Sequence, residues 1–280
     1  MLWKNRRQSG NIEDRRGGGT GKIAIGGIGT IVIALIVWAM GGNPLEFLQT
    51  ANVGQSTENV STDVSESDTM AQFVSVVLAE TEDVWDSIFQ VSGQSYQQPK
   101  LVIFSDQIQS ACGFASEASG PFYCPGDAKV YLDMGFFNEM KTRFEAPGDF
   151  AIAYVIAHEV GHHIQNLLGI LDKAQKLKSE TDEIGANKIQ VKVELQADFL
   201  AGVWAHYVQK YDNILEEGDI EEAMNAANAV GDDRLQKKYQ GTVVPDAFTH
   251  GTSEQRMKWF MKGFKTGDLD QGNTLSLDKL

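Results

Sequence analysis

The chain has 280 residues, with 38 Asp and Glu against 24 Lys and Arg, for a net charge of −14. Such an acidic surface repels nucleic acid and anionic headgroups, so neither is an expected partner. The first 68 residues do not resemble a globular core, which leaves one folded domain of about 210 residues.

Residues 1–22 form a basic tail. Lys4, Arg6, Arg7, Arg15, Arg16 and Lys22 face only Glu13 and Asp14 there. Beyond residue 22, 18 basic residues face 36 acidic ones, a net charge of −18. Residues 23–40, Ile23 to Met40, carry no charge, and 18 residues is near the lower limit for crossing a bilayer. No Lys or Arg follows until Lys100. The positive-inside rule therefore predicts a single-pass signal anchor, with a cytoplasmic N-terminus and everything after Met40 outside. A cleaved signal peptide fits less well, because the run is long and no small-x-small cleavage site follows it closely. The expected location is a membrane, with the domain on its extracytoplasmic side. Residues 41–68 are polar and acidic and read as a flexible linker.

The domain is expected over residues 69–266. Met70, Phe73, Val74, Val77, Leu78, Val84, Trp85 and Ile88 recur at helical spacing, so residues 69–90 read as an amphipathic helix capped by Ser67 or Asp68. Leu101 to Phe104 reads as a buried strand, and Val130 to Asp133 as a second. Between them, Cys112 and Cys124 bound a segment punctuated by Gly113, Gly120 and Pro121. In an oxidising compartment they would close a disulfide. Metal ligation and two free thiols are the alternatives. Asp149 is read as the cap of a helix running to about Leu168 and ending at Gly169. A charged stretch over residues 172–192 leads into a helix covering about 190–210. Ile220, Ala223, Ala226, Ala227 and Val230 suggest another helix. Thr252 or Ser253 opens the last one, through Trp259 and Phe264. Residues 267–280 read as a polar, frayed tail. The predicted fold class is α+β, mostly helical.

The helix after Asp149 carries His158-Glu159-Val160-Gly161-His162. Residues four apart on a helix share a face, so His158 and His162 can grip one Zn²⁺ per chain. Glu159 stands beside the first of them, where a general base is needed. A catalytic zinc site takes three protein ligands. Glu194, in VELQAD, is the candidate third. Asp198, four residues on, shares its face and could take the free N–H of a ligating imidazole. The plainer reading of both carboxylates is a solvated helix face, but their neighbours Val191, Val193, Leu195, Phe199 and Leu200 are apolar. Ala197 and Ala201 are small enough to let two helices approach. His163 points about 100° away from His162. It reads as surface or as support for the site, and His206 as ordinary. His250, in a Thr-His-Gly-Thr-Ser loop, is a candidate donor to an oxyanion; alternatively His250 or Ser253 caps the last helix. The Tyr131 strand, if an exposed edge, could receive an extended peptide.

HEVGHHIQ, ELQADFLAGVW and THGTSEQRMKWF together resemble a bacterial membrane-anchored family, the putative neutral zinc metallopeptidases. FYCPGDAKVYLD and the N-terminal RRQSGNIEDRRG match as well, so the likeness runs over nearly the whole chain apart from the linker. Phe199 stands where Cys is frequent. The resemblance implies a minimal zincin domain with a gluzincin-like two-His, one-Glu centre behind one N-terminal transmembrane helix. It implies hydrolysis of peptide or protein substrates, as an endopeptidase. The rivals are an envelope binding or adaptor protein on the same scaffold, without turnover, and a hydrolase of cell-wall peptide.

Overall fold

The computed structural model describes residues 1–16, 68–116 and 120–277. The apolar run Ile23–Met40 and nearly all of the linker lie outside them. Among the described residues no helix is long and apolar enough to cross a membrane. The fold is mostly helical α+β. Met1–Asp14 belong to the same compact unit as the chain from Thr62 onward, and Arg15–Ser61 to a second unit.

Among the described residues, a four-stranded sheet takes β1 (Ile12–Asp14), β2 (Lys100–Phe104), β6 (Lys129–Asp133) and β5 (Phe122–Cys124), in the spatial order β1-β2-β6-β5. The first three are parallel and β5 is antiparallel to β6. β6 is therefore an interior strand and Tyr131 does not lie on an edge. The outer position belongs to β5, inside the cysteine-bounded segment. β3 (Gln107–Ser110), just before Cys112, and β4 (Gly113–Ser116), just after it, form a hairpin. Cys112 and Cys124 are joined, tying the hairpin to β5.

Helix α1 (Thr69–Val91) is capped by Asp68, whose Oδ1 accepts from the Ala71 amide at 3.0 Å. After α2 (Gly135–Thr142) comes α3 (Asp149–Leu167), the helix carrying His158. Its cap differs from the expected one. Gly148 holds the N-cap position, Asp149 is the first helical residue, and the Phe150 amide donates to Glu222 at 3.0 Å. A carboxylate from another helix thus serves one of the N–H groups left without an intrahelical partner. Gly169 ends the helix in left-handed geometry, φ 68°.

The charged stretch 172–192 is itself mostly helical. It contains α4 (Ile170–Ser179) and the first turns of the 30-residue α5 (Glu183–Asp212). Both are largely solvent-facing there, so their apolar period is faint. Next come α6 (Asp219–Ala229), α7 (Asp232–Gln240) and α8 (Ser253–Thr266), the last opened by a Thr252–Gln255 capping box.

α5 is the spine. It packs on α3 through one face and on α8 through another. Gly202 and Gly263 make the second crossing possible. A Cβ at Gly202 would overlap the Phe260 carbonyl, and one at Gly263 the Phe199 carbonyl. Neither backbone can withdraw without opening the core around Phe199 and Phe260, which are fully buried. Gly263→Ala should therefore cost about 1–3 kcal/mol through overpacking. Thermal unfolding should show a midpoint several degrees lower, and an unchanged midpoint would mean that the crossing is looser than it looks.

The ends of the chain differ from their expected states. The tail past Gly267 is packed: Gln196 donates to the Gly272 carbonyl at 2.8 Å, and Thr274 Oγ1 to the Lys192 carbonyl at 2.6 Å. Two 3-10 turns fold it onto α5. The first 14 residues of the expected basic tail are folded too. β1 sits beside β2, Arg6 Nε donates to Glu80 at 2.6 Å, and Arg7 Nη1 donates to Glu82 at 3.0 Å. Composition marks these arginines as a tail because their acidic partners lie more than seventy residues away.

Candidate metal centre

α3 and α5 cross where Gly161 faces Ala197. A Cβ at Gly161 would stand 3.0 Å from the Ala197 carbonyl oxygen, so glycine sets the spacing of the two helices there. This close approach brings His158, His162 and Glu194 together. One ligand atom from each lies within 4.8 Å of the others. Glu194 Oε2 is 3.3 Å from His158 Nε2 and 3.4 Å from His162 Nε2. All three residues line a cavity of about 500 Å³ that also receives Glu159, His250 and Arg256.

The outer nitrogen of each imidazole is held. His158 Nδ1 lies 2.8 Å from Asp198 Oδ1. His162 Nδ1 lies 2.8 Å from Gln165 Oε1. The Gln165 amide cannot turn, because its Nε2 donates to the Val193 carbonyl at 2.8 Å and to Gln196 Oε1 at 3.0 Å. Each acceptor therefore calls for a proton on Nδ1, leaving Nε2 as the atom turned to the centre. On the other side, Gln190 Nε2 donates to Glu194 Oε1 at 2.6 Å, leaving Oε2 to face the imidazoles.

Electrostatics follow from burial and pairing. Burial pulls the His158 imidazole down, but the Asp198 carboxylate, and then Glu194, outweigh it and push the group up to about 10. His162 is raised by Glu194 in the same way, against its burial. Burial pushes Glu194 up, yet His162 and His158 hold it well below the usual carboxylate range. Asp198 is likewise held low, by Arg256 and then His158 against its burial. Arg256 Nε donates to Asp198 Oδ2 at 2.8 Å, and Nη2 to Oδ1 at 2.9 Å. The Tyr154 hydroxyl adds a bond to Oδ1 at 2.6 Å. Asp198 thus has a fixed cation, whereas the ion pairs of Glu194 are to the two imidazoles. Two imidazole nitrogens and a carboxylate oxygen, buried yet open to a cavity, form a donor set that suits Zn²⁺ and leaves a fourth position for water. A dication held there would compete with protons for both imidazoles.

The other sequence-selected residues separate clearly. His250 Nδ1 is 3.2 Å from Asp232 Oδ1, while Asp232 Oδ2 accepts the amides of Thr249, His250 and Gly251. One buried carboxylate thus shapes the whole loop that presents His250 to the cavity. His163 is a core residue: Nε2–H donates to the Gln97 carbonyl at 2.6 Å, and Nδ1 meets the Tyr123 hydroxyl at 3.0 Å. His206 donates to the Phe264 carbonyl at 2.8 Å, away from the cavity. Sequence reasoning missed Tyr154, Gln165, Asp232 and Arg256. Gln165 alone had a local signal, one turn after His162.

Residues 1–275 match the family model described as putative neutral zinc metallopeptidase. The chain is 47% identical to the uncharacterized protein YpfJ of Escherichia coli (strain K12), with 98% of each chain covered. It is 41% identical to the uncharacterized protein Mb2605 of Mycobacterium bovis, covering 73% of this chain and 72% of that one. No solved structure matches. A zinc peptidase family implies zinc, and a family match over nearly the whole chain is decisive for membership: this protein belongs to the putative neutral zinc metallopeptidases.

Proposed function

We propose that the chain is a membrane-attached zinc endopeptidase whose metal ligands are His158, His162 and Glu194. The observation that carries this reading is the convergence of two Nε2 atoms and Oε2 on one point, with Glu159 in the same cavity. Zinc bound there supplies a Lewis acid that lowers the pKa of water and polarises a carbonyl.

The protein's own groups do the rest. Glu159 takes a proton from the attacking water and delivers it to the departing amine. Asp198 and Gln165 accept from Nδ1 of their imidazoles and so would leave both Nε2 lone pairs free to hold the metal. His250, aligned by Asp232, donates to the carbonyl oxygen as negative charge develops on it. The outer edge of β5 offers main-chain groups to an extended peptide, and Phe122 and Tyr123 of that strand line the cavity. Recognition through main chain suits cleavage within a chain better than capture of its end. The apolar Ile23–Met40 run supports attachment to the inner membrane. The Cys112–Cys124 bridge supports a domain outside the cytoplasm. A carboxylate beside an open coordination position favours turnover over a purely binding role.

Elemental analysis of the full chain, with digestion of a broad peptide library, tests the reading. One Zn²⁺ per chain and chelator-sensitive cleavage are expected. Glu194→Ala should lose most of its zinc, since two imidazoles alone make a poor site. Full zinc in that variant would move the third ligand elsewhere. A zinc-loaded wild type that cleaves nothing would leave the binding role. His250→Ala should keep its zinc and lose about 10²-fold in turnover. Unchanged turnover would remove His250 from the reaction.

A further inference from the structure

The docking of residues 1–14 constrains how the chain meets a membrane. These residues are built into the domain. Ser9 and Ser75 exchange two bonds of 3.1 Å, one to each main-chain carbonyl. The Leu101 amide donates to the Asn11 carbonyl at 2.9 Å, and Lys129 grips Glu13 at 2.8 Å from the far side of β2. Glu80 and Glu82 on α1 are buried, with side chains 5% and 1% exposed. Glu82 is met by Arg7, Ser9 and Asn11, and Glu80 by Arg6, all from the N-terminal segment. Buried carboxylates require such partners, so α1 is composed to receive this segment.

A single crossing by Ile23–Met40 is incompatible with that docking. A run of 18 apolar residues is near the lower limit for one crossing, so a single crossing consumes all of it. Residues 41–67 cannot bring the chain back, because they are polar and carry Glu46, Glu58, Asp63 and Glu66. The basic residues that favour a cytoplasmic N-terminus are also partly committed. Arg6 and Arg7 are already paired with acids of the domain.

We propose that residues 1–14 and the metal centre lie on the same side of the membrane to which the chain is attached. The sheet and α1 are complete only with residues 1–14 in place. The proposal does not depend on the reaction catalysed.

Paired labelling of the full chain in its native membrane tests it. Gln8 and Glu180 are both exposed and lie in the two regions at issue. Gln8→Cys and Glu180→Cys are made separately and treated in spheroplasts with a membrane-impermeant maleimide, before and after permeabilisation. The proposal expects both sites to label together, from whichever side the domain occupies. One site labelled and the other protected would overturn it. A second measurement uses Arg6→Glu/Arg7→Glu in the same membranes. If the segment is docked, limited proteolysis of the domain should speed up at least about tenfold. An unchanged proteolysis rate would place the segment across the bilayer and overturn the proposal.

Discussion

Glu159→Gln should retain the full zinc content and melting behaviour of the wild type while hydrolysing peptides at least about 10²-fold more slowly. General base catalysis contributes about 10²–10⁴-fold, and an amide at this position cannot accept the proton. The substitution is nearly isosteric, and Glu159 is not among the three converging ligand atoms, so the centre itself is undisturbed. Zinc analysis and turnover are to be measured on the same preparation. Full zinc with little turnover separates loss of the base from loss of the metal, which Glu194→Ala would give. A Glu159→Gln enzyme as fast as the wild type would end the proposed mechanism, even with zinc in place.

The parts of the fold that sequence reveals are those with strong periodicity on one buried face. α1 and α3 bury most of their lengths, and β2 and β6 are short apolar runs, so their positions are legible. Asp68 and Thr252 are legible as caps because capping chemistry is local. α7 is not. Its nine residues are DDRLQKKYQ, and only Asp232 is buried. β1 is three residues long and draws its stability from β2, nearly ninety residues away, so nothing local announces it.

The same distinction divides the site. His158, Glu159 and His162 sit within one helical turn, and Glu194 and Asp198 repeat that spacing on α5. What sequence spacing cannot supply is the cross-helix partner. Arg256 lies 58 residues from Asp198, and Asp232 lies 18 from His250. Their roles come from the packing of α8 against α5 and from the loop ahead of α8. Which strand forms the edge is illegible for a related reason. Apolar content marks Tyr131 as strand, but only the spatial order shows that β5 covers its open side.

Arg256→Met should be among the most damaging changes outside the three ligands. Asp198 is fully buried, and Arg256 is its only guanidinium among the described residues, held by two bonds of 2.8 and 2.9 Å. Removing one partner of such a pair typically costs about 3–5 kcal/mol, because the remaining charge stays buried without compensation. The unpaired Asp198 would then draw more heavily on the proton at His158 Nδ1. Disturbed support of this kind lowers metal affinity by about 10–100-fold. Both effects are separable in a double-mutant cycle with Asp198→Asn. The asparagine keeps an oxygen for His158, and with Met at position 256 no charge is left stranded. The double variant should therefore be more stable than the sum of the single losses predicts. Thermal unfolding of the zinc-free protein measures the first effect, and competition against a calibrated chelator the second. If Arg256→Met melts with the wild type and binds zinc as tightly, the guanidinium is a bystander and Tyr154 alone secures Asp198.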